Sequence, residues 1–291
     1  LQHSIDGGSL KYDYFSPDEK NRLSVFASAA NTDRDSYYGP GNDPLKAYGK
    51  TTDLTAMGGA QYVHSFDKLL FMPSDLTAGL EYNRDRLKDN MWGYDRHTDQ
   101  TVNIYSAFLQ NEWKNKHWGI LIGGRLDKHN MVDNVIFSPR ANLRFNPTQN
   151  INLRLSYSSG FRAPQAFDED MHIENVGGTV AMIERAKDLK EEKSQSFSVS
   201  ADMYHRFGAF QTNLLIEGFY TRLTDVFVLG KPYDRGDGIL VKTRSNGPGA
   251  KVMGLTLEGK VAYLSILQIQ AGLTLQRSRY DEPHKWHYEA P

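Results

Sequence analysis

The residues with the greatest potential for chemistry are carboxylates and an imidazole in one polar segment. Asp168, Glu169 and Asp170 stand in a row, and His172 and Glu174 follow closely. Carboxylate oxygens are the ligands that Ca²⁺ prefers, and an imidazole adds affinity for transition metals. The segment predicts either a Ca²⁺ site, held by the four carboxylates, or a surface that contacts a metal chelate. A solvated acidic loop explains the same residues, because loops are usually polar.

A second segment, residues 91–97, combines aromatic, cationic and imidazole side chains. Trp92 and Tyr94 alternate with small or charged residues, and Arg96 and His97 follow directly. Aromatic residues and arginine are the usual anchors of a recognition surface, so this segment predicts contact with a planar ligand. The alternative is that the two aromatic rings pack the loop or belong to a belt at a membrane interface.

Catalytic chemistry finds little support in the sequence. The chain has no cysteine, which excludes thiolate catalysis and Cys-based metal sites. It contains no nucleophile-elbow, zinc-protease or phosphate-loop motif. The formal net charge of -1 argues against a nucleic-acid partner, which requires a basic excess. The sequence therefore predicts a binding protein without a covalent cofactor and not an enzyme.

The elements that must position these residues are β-strands, because apolar residues recur at every second position. Successive side chains of a strand leave opposite faces of its sheet, so this period gives one apolar face and, we expect, one uniformly polar face. The strands are roughly 10 to 15 residues long, where globular sheets use about 5 or 6. The alternation is clearest in residues 76–83, 118–127, 151–158, 196–203, 253–263 and 267–276.

The links between strands alternate between short and long. Short links are expected at residues 16–21, 65–75, 114–116, 146–150, 206–208 and 264–265. Long polar links are expected at residues 32–51, 87–100, 128–135, 161–193 and 224–250. Six hairpins and about twelve strands follow. This sorting of links by length is typical of outer-membrane barrels, so the predicted fold is an all-β, antiparallel transmembrane β-barrel.

Twelve strands in an open sheet would leave two unpaired edges, which lipid does not tolerate. We therefore expect residues 1–291 to form one partial barrel domain of a larger barrel, with about 22 strands if the lumen holds a plug. Five charged residues are expected to face that lumen and to form a charge network that seats the plug. They are Glu81, Arg154, Glu217, Glu258 and Lys260.

Four motifs resemble those of TonB-dependent outer-membrane transporters, in family order. The sequence YSSGFRAPQAF at residues 157–167 resembles a strand that runs into an external loop. LKEEKS at 189–194 resembles the entry to the next strand, although Lys190 and Glu191 replace the usual residues. FYTRLTD at 219–225 and GLTLE at 254–258 resemble the strands that follow. The motifs together span roughly residues 100–280.

This resemblance implies a 22-stranded barrel in a Gram-negative outer membrane, closed by an N-terminal plug and energised through the TonB complex. Its implied function is active uptake of a scarce nutrient, expected to be a metal chelate such as a ferric siderophore, cobalamin or haem. The present chain would be a middle section of that barrel, in contact with outer-membrane lipid and lipopolysaccharide, and a surface lipoprotein is a further candidate partner. The alternatives are a passive porin-type channel and a β-rich enzyme, either in the outer membrane or soluble. The residues expected to contact the ligand in the external loops are Trp92, Tyr94, Arg96, His97, Arg162, Gln165, Phe167 and His172.

Overall fold

The computed structural model describes residues 2–37, 48–166, 171, 174–176, 179–236 and 238–282. For residues 174–176 and 179–180 it describes the backbone alone. No helix in this part of the chain is long and apolar enough to cross a membrane.

Twelve long strands form one antiparallel sheet, in which each strand lies beside its neighbour in sequence except where the small strands of two links intervene. This confirms the predicted number of strands and their arrangement in six hairpins. Numbered in chain order, the strands of this sheet are β1 (Gln2–Phe15), β2 (Asn21–Tyr37), β3 (Tyr48–Leu69), β4 (Met72–Met91), β5 (Arg96–Lys114), β6 (Trp118–His129), β7 (Ile136–Thr148), β8 (Ile151–Arg162), β11 (Glu192–Phe207), β12 (Phe210–Thr224), β16 (Ala250–Tyr263) and β17 (Leu267–Tyr280).

Three of the predicted links are shorter than predicted, because the flanking strands extend into them. In the link predicted at 32–51, β2 reaches Tyr37 and β3 begins at Tyr48. Residues 65–75 contain only a two-residue turn, since β3 reaches Leu69 and β4 begins at Met72. Residues 87–100 are mostly the paired ends of β4 and β5, joined by a single 3₁₀ turn, Trp92–Tyr94. The polar residues that suggested a loop at 87–100 include Asp89 and Gln100, which are buried and hydrogen-bonded.

The two longest links contain a second, smaller sheet. Its central pair is parallel: β10 (Thr179–Arg185), from the first long link, lies beside β15 (Ile239–Asn246), from the second. Both links had been predicted as polar loops, and the pairing joins segments that share no repeat or period in the sequence. The strands of this small sheet are β9 (Glu174–Val176), β10 (Thr179–Arg185), β13 (Phe227–Leu229), β14 (Tyr233–Asp234) and β15 (Ile239–Asn246).

The two faces of the large sheet have different surroundings. The inner face is defined here as the one that the long links cover; it carries Asp89, Val102 and His129, which are all buried. The outer face carries alternate residues such as Leu80 and Ile122, which are exposed. The period-two pattern of the sequence thus separates a covered face from an exposed apolar one.

Aromatic pairs mark two levels on the outer face. One level lies near the short turns, where the rings of Trp118 and Phe145 stack with centroids 4.2 Å apart. The other lies toward the long links, where the rings of Tyr82 and Tyr105 are 4.9 Å apart. On β5, Trp113 and Tyr105 mark the two levels, eight positions apart. At about 3.3 Å per residue and a tilt near 40°, this spacing approaches the roughly 25 Å apolar band of membrane barrels.

The inner face is not uniformly polar, which corrects one expectation. Phe108 points inward and covers Gly79 on the neighbouring strand, where an added Cβ would lie 2.2 Å from its ring. Phe219 covers Gly254 in the same way. Each ring needs a glycine beside it, because any side chain there would occupy the same space. The partner glycine lies on another strand, so alternation within one strand does not reveal the arrangement.

Candidate functional site

A pocket of about 330 Å³ lies at the long-link end of the inner face, between the start of β5 and the small sheet. Residues from three separate segments line it, and its apolar wall includes Met171 and Met182. Cationic groups outnumber carboxylates in its lining. The ionisable side chains that line it are Arg96, His97, Arg185, Arg235, Asp95 and Glu184.

Arg96 connects β5 to the first long link. Its Nη2 donates to Asp89 Oδ2 at 2.7 Å and to the backbone oxygen of Met171 at 2.9 Å. Asp89 is only 1% exposed and also accepts a hydrogen bond from Thr51 Oγ1 at 2.6 Å. Buried charges of this kind are stabilised only when they are paired and hydrogen-bonded. Within the described residues the Nε and Nη1 atoms of Arg96 are buried without a hydrogen-bond partner.

Arg185, at the end of β10, joins the small sheet to the large one. Its Nη1 donates to Gln100 Oε1 at 2.7 Å and to the backbone oxygen of Pro164 at 3.0 Å. Gln100 Oε1 also accepts the backbone N–H of Ala166 at 2.8 Å. One amide oxygen on β5 thus holds two segments of the first long link against the inner face.

Arg235 extends from the second long link to the turn between β4 and β5. Its Nη2 donates to the backbone oxygen of Tyr94 at 3.1 Å. The Tyr94 side chain lies in an apolar cluster with Met91, Met182 and Ile239. Burial among these groups, together with the nearby Tyr37, raises the pKa of Tyr94, so its phenol stays neutral near pH 7.

The structure brings together several of the residues predicted to contact ligand. Arg96 and His97 line the pocket, and Tyr94 lies behind its wall, where its side chain is 8% exposed. Trp92 lies at the turn with 56% of its surface exposed. These positions are compatible with contact at the rim and wall of the pocket, and their roles as ligand contacts stay predictions.

The remaining predicted contacts lie elsewhere or outside the described residues. Gln165 does not line the pocket; its Oε1 atom lies 3.2 Å from Nε2 of His129. The guanidinium of Arg162 lies over the ring of Phe227, 5.5 Å from its centroid. Phe167 and His172, and the proposed Ca²⁺ ligands Asp168, Glu169, Asp170 and the side chain of Glu174, fall outside the described residues. Where side chains are described, no group of three or more histidines and carboxylates is arranged to hold a metal ion.

Arg185 and Arg235 line the pocket but were not among the residues predicted from the sequence. The two arginines belong to links without periodicity, and their contacts lie 85 and 141 residues away in the sequence. No local signal in the sequence reports contacts of that range.

On the inner face, away from the pocket, ion pairs join three charged side chains into a cluster. Arg125 donates from Nη1 to Glu81 Oε2 at 2.5 Å and from Nε to Asp127 Oδ1 at 2.8 Å. Asp127 also accepts from Ser106 Oγ at 2.6 Å. The guanidinium of Arg125 stands over the ring of Phe108, 6.0 Å from its centroid.

The register places the other four predicted lumen residues on the inner face, but they do not join this cluster. In the described part of the chain, Arg154, Glu217, Glu258 and Lys260 form no ion pair with one another. Arg154 lies opposite Ser200, which lies opposite Glu217, so two strand spacings of about 4.8 Å separate the two charges. The expected five-residue network is therefore reduced to the contact of Glu81 with Arg125. Contacts of the other four residues with a plug stay a prediction.

Comparison with known proteins identifies one family and several solved structures with a similar fold. Residues 2–289 match the family described as TonB dependent receptor-like, beta-barrel. No curated protein sequence matches the chain. Among solved structures, the siderophore receptor PirA from Pseudomonas aeruginosa aligns with a TM-score of 0.72 and 14% identity, over 95% of this chain and 48% of that one.

Two further structures show the same relation. The FrpB iron transporter from Neisseria meningitidis aligns with a TM-score of 0.71 and 16% identity, over 97% of this chain and 45% of that one. The ferric enterobactin receptor PfeA from Pseudomonas aeruginosa aligns with a TM-score of 0.71 and 18% identity, over 94% of this chain and 44% of that one. The chain spans about half the length of these structures. The predicted fold class, an antiparallel transmembrane β-barrel, is confirmed.

Proposed function

Because the chain belongs to the TonB-dependent receptor-like β-barrel family, as its motifs predicted, we propose that it forms part of the barrel of an outer-membrane transporter that takes up a metal chelate. The family's barrels lie in the outer membrane of Gram-negative bacteria, and its members are transporters or receptors and not enzymes. The similar structures include a siderophore receptor, an iron transporter and a ferric enterobactin receptor. These relatives support an iron chelate as the cargo of the whole protein.

The observation that carries the proposal is the pocket formed by Arg96, Arg185, Arg235 and His97. Its described lining carries three arginines and one histidine against two carboxylates, and Arg96 is also paired with the buried Asp89. This lining favours an anionic ligand. Ferric complexes of catecholates and carboxylates are anionic. Among the metal chelates considered, which also include haem and cobalamin, the charge of the pocket therefore favours an anionic ferric chelate.

The position of the pocket agrees with this function. In outer-membrane barrels the long links face the outside and the short turns face the periplasm. The pocket lies at the long-link end, where a ligand would arrive first. The outer aromatic levels would then contact lipid and lipopolysaccharide, and the turns below would face the TonB complex in the periplasm.

The edges of the sheet support a larger barrel. Within the described residues β1 and β17 each pair with one neighbour, which leaves the far side of both fourteen-residue strands without a backbone partner. Unpaired backbone groups are costly in lipid, so we infer that further strands of the same protein pair with both edges. A barrel of about 22 strands around a plug satisfies both edges and gives the lumen its gate.

Uptake by cells tests the proposal. Cells that produce the full-length protein would be supplied with radiolabelled ferric enterobactin at a limiting concentration, with and without a functional TonB complex. The expected result is uptake that needs both the protein and TonB, because a plugged barrel opens only when energised. A passive porin-type channel would give uptake that rises linearly with concentration and is unchanged without TonB, and that result would overturn the proposal.

A further inference from the structure

A strip of three arginines lies on the inner face at the other end of the barrel wall. Arg140 and Arg144 are on β7, and Arg154 is on β8, near the short turn that joins the two strands. Arg144 lies directly opposite Arg154 in the register. All three residues line one groove of about 470 Å³. We propose that this arginine strip is an anion-binding site that holds a carboxylate-class group.

The strip places like charges on neighbouring strands. Like charges that lie directly opposite each other on neighbouring strands destabilise a sheet. Among the described residues, Arg140 and Arg154 make no ion pair or hydrogen bond, and Arg144 has only a long contact of 3.4 Å with the backbone oxygen of Asn115. The register therefore places two cations opposite each other, and neither forms an ion pair with a carboxylate in the described part of the chain.

A neighbouring arginine on the same face shows the contrast. Arg125 lies on β6 and is held by both Glu81 and Asp127. The nearby carboxylate of Asp202 is already engaged, since it accepts hydrogen bonds from Asn213 Nδ2 at 2.5 Å and from the Tyr204 hydroxyl at 3.0 Å. The wall thus satisfies one arginine internally and leaves the charge of the strip available to a partner.

The rest of the groove suits an oxygen anion. Asn142 and Ser156 line it and are hydrogen-bonded to each other at 2.7 Å, which fixes their polar atoms beside the guanidinium groups. Glu112 also lines the groove, at the side formed by β5. The guanidinium of Arg144 lies over Gly119 of β6. The three arginines that line this one groove offer several donors to the oxygens of a carboxylate, and such charge-assisted hydrogen bonds are stronger than neutral ones.

A carboxylate-class group can reach the strip from two sources. One source is an acidic side chain of a polypeptide segment of the same protein that fills the lumen. The other is the anionic metal chelate on its way toward the periplasm. Both present the same oxygen chemistry, so the experiment must separate them.

The test uses the purified full-length protein, with citrate as the probe, at low ionic strength. The double variant Arg144→Gln/Arg154→Gln removes the facing charges, and Arg86→Gln, an exposed arginine on the outer side of β4, is the control. Calorimetry measures citrate affinity, and thermal unfolding without citrate measures stability. If a free anion is the partner, the wild type binds citrate, and the double variant loses at least about tenfold in affinity, as expected for charge-assisted hydrogen bonds.

If an internal acidic side chain is the partner, the wild type does not bind citrate, and the double variant unfolds at a lower temperature than the control variant. Either result supports the strip as an anion site and identifies the source. The inference is overturned if citrate binds the double variant as tightly as the wild type. It is also overturned if citrate binds neither protein and the double variant unfolds no earlier than the control. These outcomes do not depend on TonB-driven uptake, so the inference and the proposed function fail separately.

Discussion

Two groups of arginines on the same inner face have opposite surroundings. At the long-link end, Arg96 and Arg185 each donate to groups that are distant in the sequence, and Arg96 is paired with a buried carboxylate. Near the short turns, Arg144 and Arg154 face each other without a carboxylate partner in the described part of the chain. The long-link arginines therefore hold the links against the large sheet as well as lining a pocket, whereas the arginines near the short turns have no ion pair among the described residues.

The largest expected effect comes from breaking the buried pair at the long-link end. Asp89→Ala leaves Arg96 buried without its carboxylate, which should lower the free energy of unfolding by about 3–5 kcal/mol. The matched control is Asp99→Ala, because Asp99 is exposed and its nitrogen–oxygen distance to Lys88 is 3.6 Å. The control should cost under about 0.5 kcal/mol. Denaturant unfolding of the full-length protein in detergent measures both, and equal losses would show that the pair at Asp89 is not special.

A second prediction concerns the wall between the two groups, where Phe108 supports Arg125. Gly79→Ala places a methyl group where the Phe108 ring lies, so the ring must move or the strands must separate. We expect a loss of about 1–3 kcal/mol in the free energy of unfolding, as for other overpacked sites. Gly259→Ala, on β16, is the control, because its Cβ would meet nothing within 4 Å. A stability of Gly79→Ala equal to that of the control would refute this packing.

A third prediction concerns Arg125 after one of its two ion-pair partners is removed, which brings it closer to the unpaired arginines of the strip. Glu81→Gln removes one of its two carboxylates, and we expect stability to fall by about 1 kcal/mol, because the pair is partly exposed and Asp127 remains. Glu258→Gln serves as the control, since Glu258 lies on the inner face without an ion pair in the described structure. Urea unfolding curves of both variants give the difference. A larger loss in the free energy of unfolding for Glu258→Gln than for Glu81→Gln would contradict the assignment of the ion pair to Glu81.

The smallest effect on stability is expected at the rim of the long-link pocket. Trp92 is 56% exposed at the turn, so Trp92→Ala should change the free energy of unfolding by less than about 0.5 kcal/mol. If its ring contacts the ligand, the same variant should weaken chelate binding several-fold. A clear loss of stability with unchanged binding would instead make Trp92 a packing residue of the turn.

The sequence predicted the large sheet well, because its determinants are local. Period-two alternation identifies a strand wherever one face is apolar, and short turns between strands make neighbours in sequence neighbours in space. The inward positions of Glu81 and Arg154 follow from the same parity. The prediction was wrong at residues 87–100, where buried polar residues interrupt the apolar pattern although the strands continue.

The small sheet and the pocket could not be predicted in this way. The parallel pairing of β10 with β15 joins segments of two different links, and no pattern within either link encodes the other. The same holds for Arg235, whose partner is a backbone oxygen at Tyr94. Such contacts form only between segments that the fold has already brought together. Because every residue has a backbone carbonyl, residue type does not indicate which carbonyl will accept a hydrogen bond.

Equilibrium binding to the purified full-length protein shows whether the long-link pocket binds an anionic metal chelate. Ferric enterobactin, ferric alcaligin, haem and cobalamin would each be titrated against the wild type, Arg235→Gln, Arg235→Lys and the outer-side control Arg86→Gln. We predict that an anionic ferric chelate binds most tightly. We also predict that Arg235→Gln weakens this binding by about tenfold or more, while Arg235→Lys loses less and Arg86→Gln loses nothing. Binding that is equally tight in the wild type and in correctly folded Arg235→Gln, or no binding of any of the four probes, would contradict these predictions.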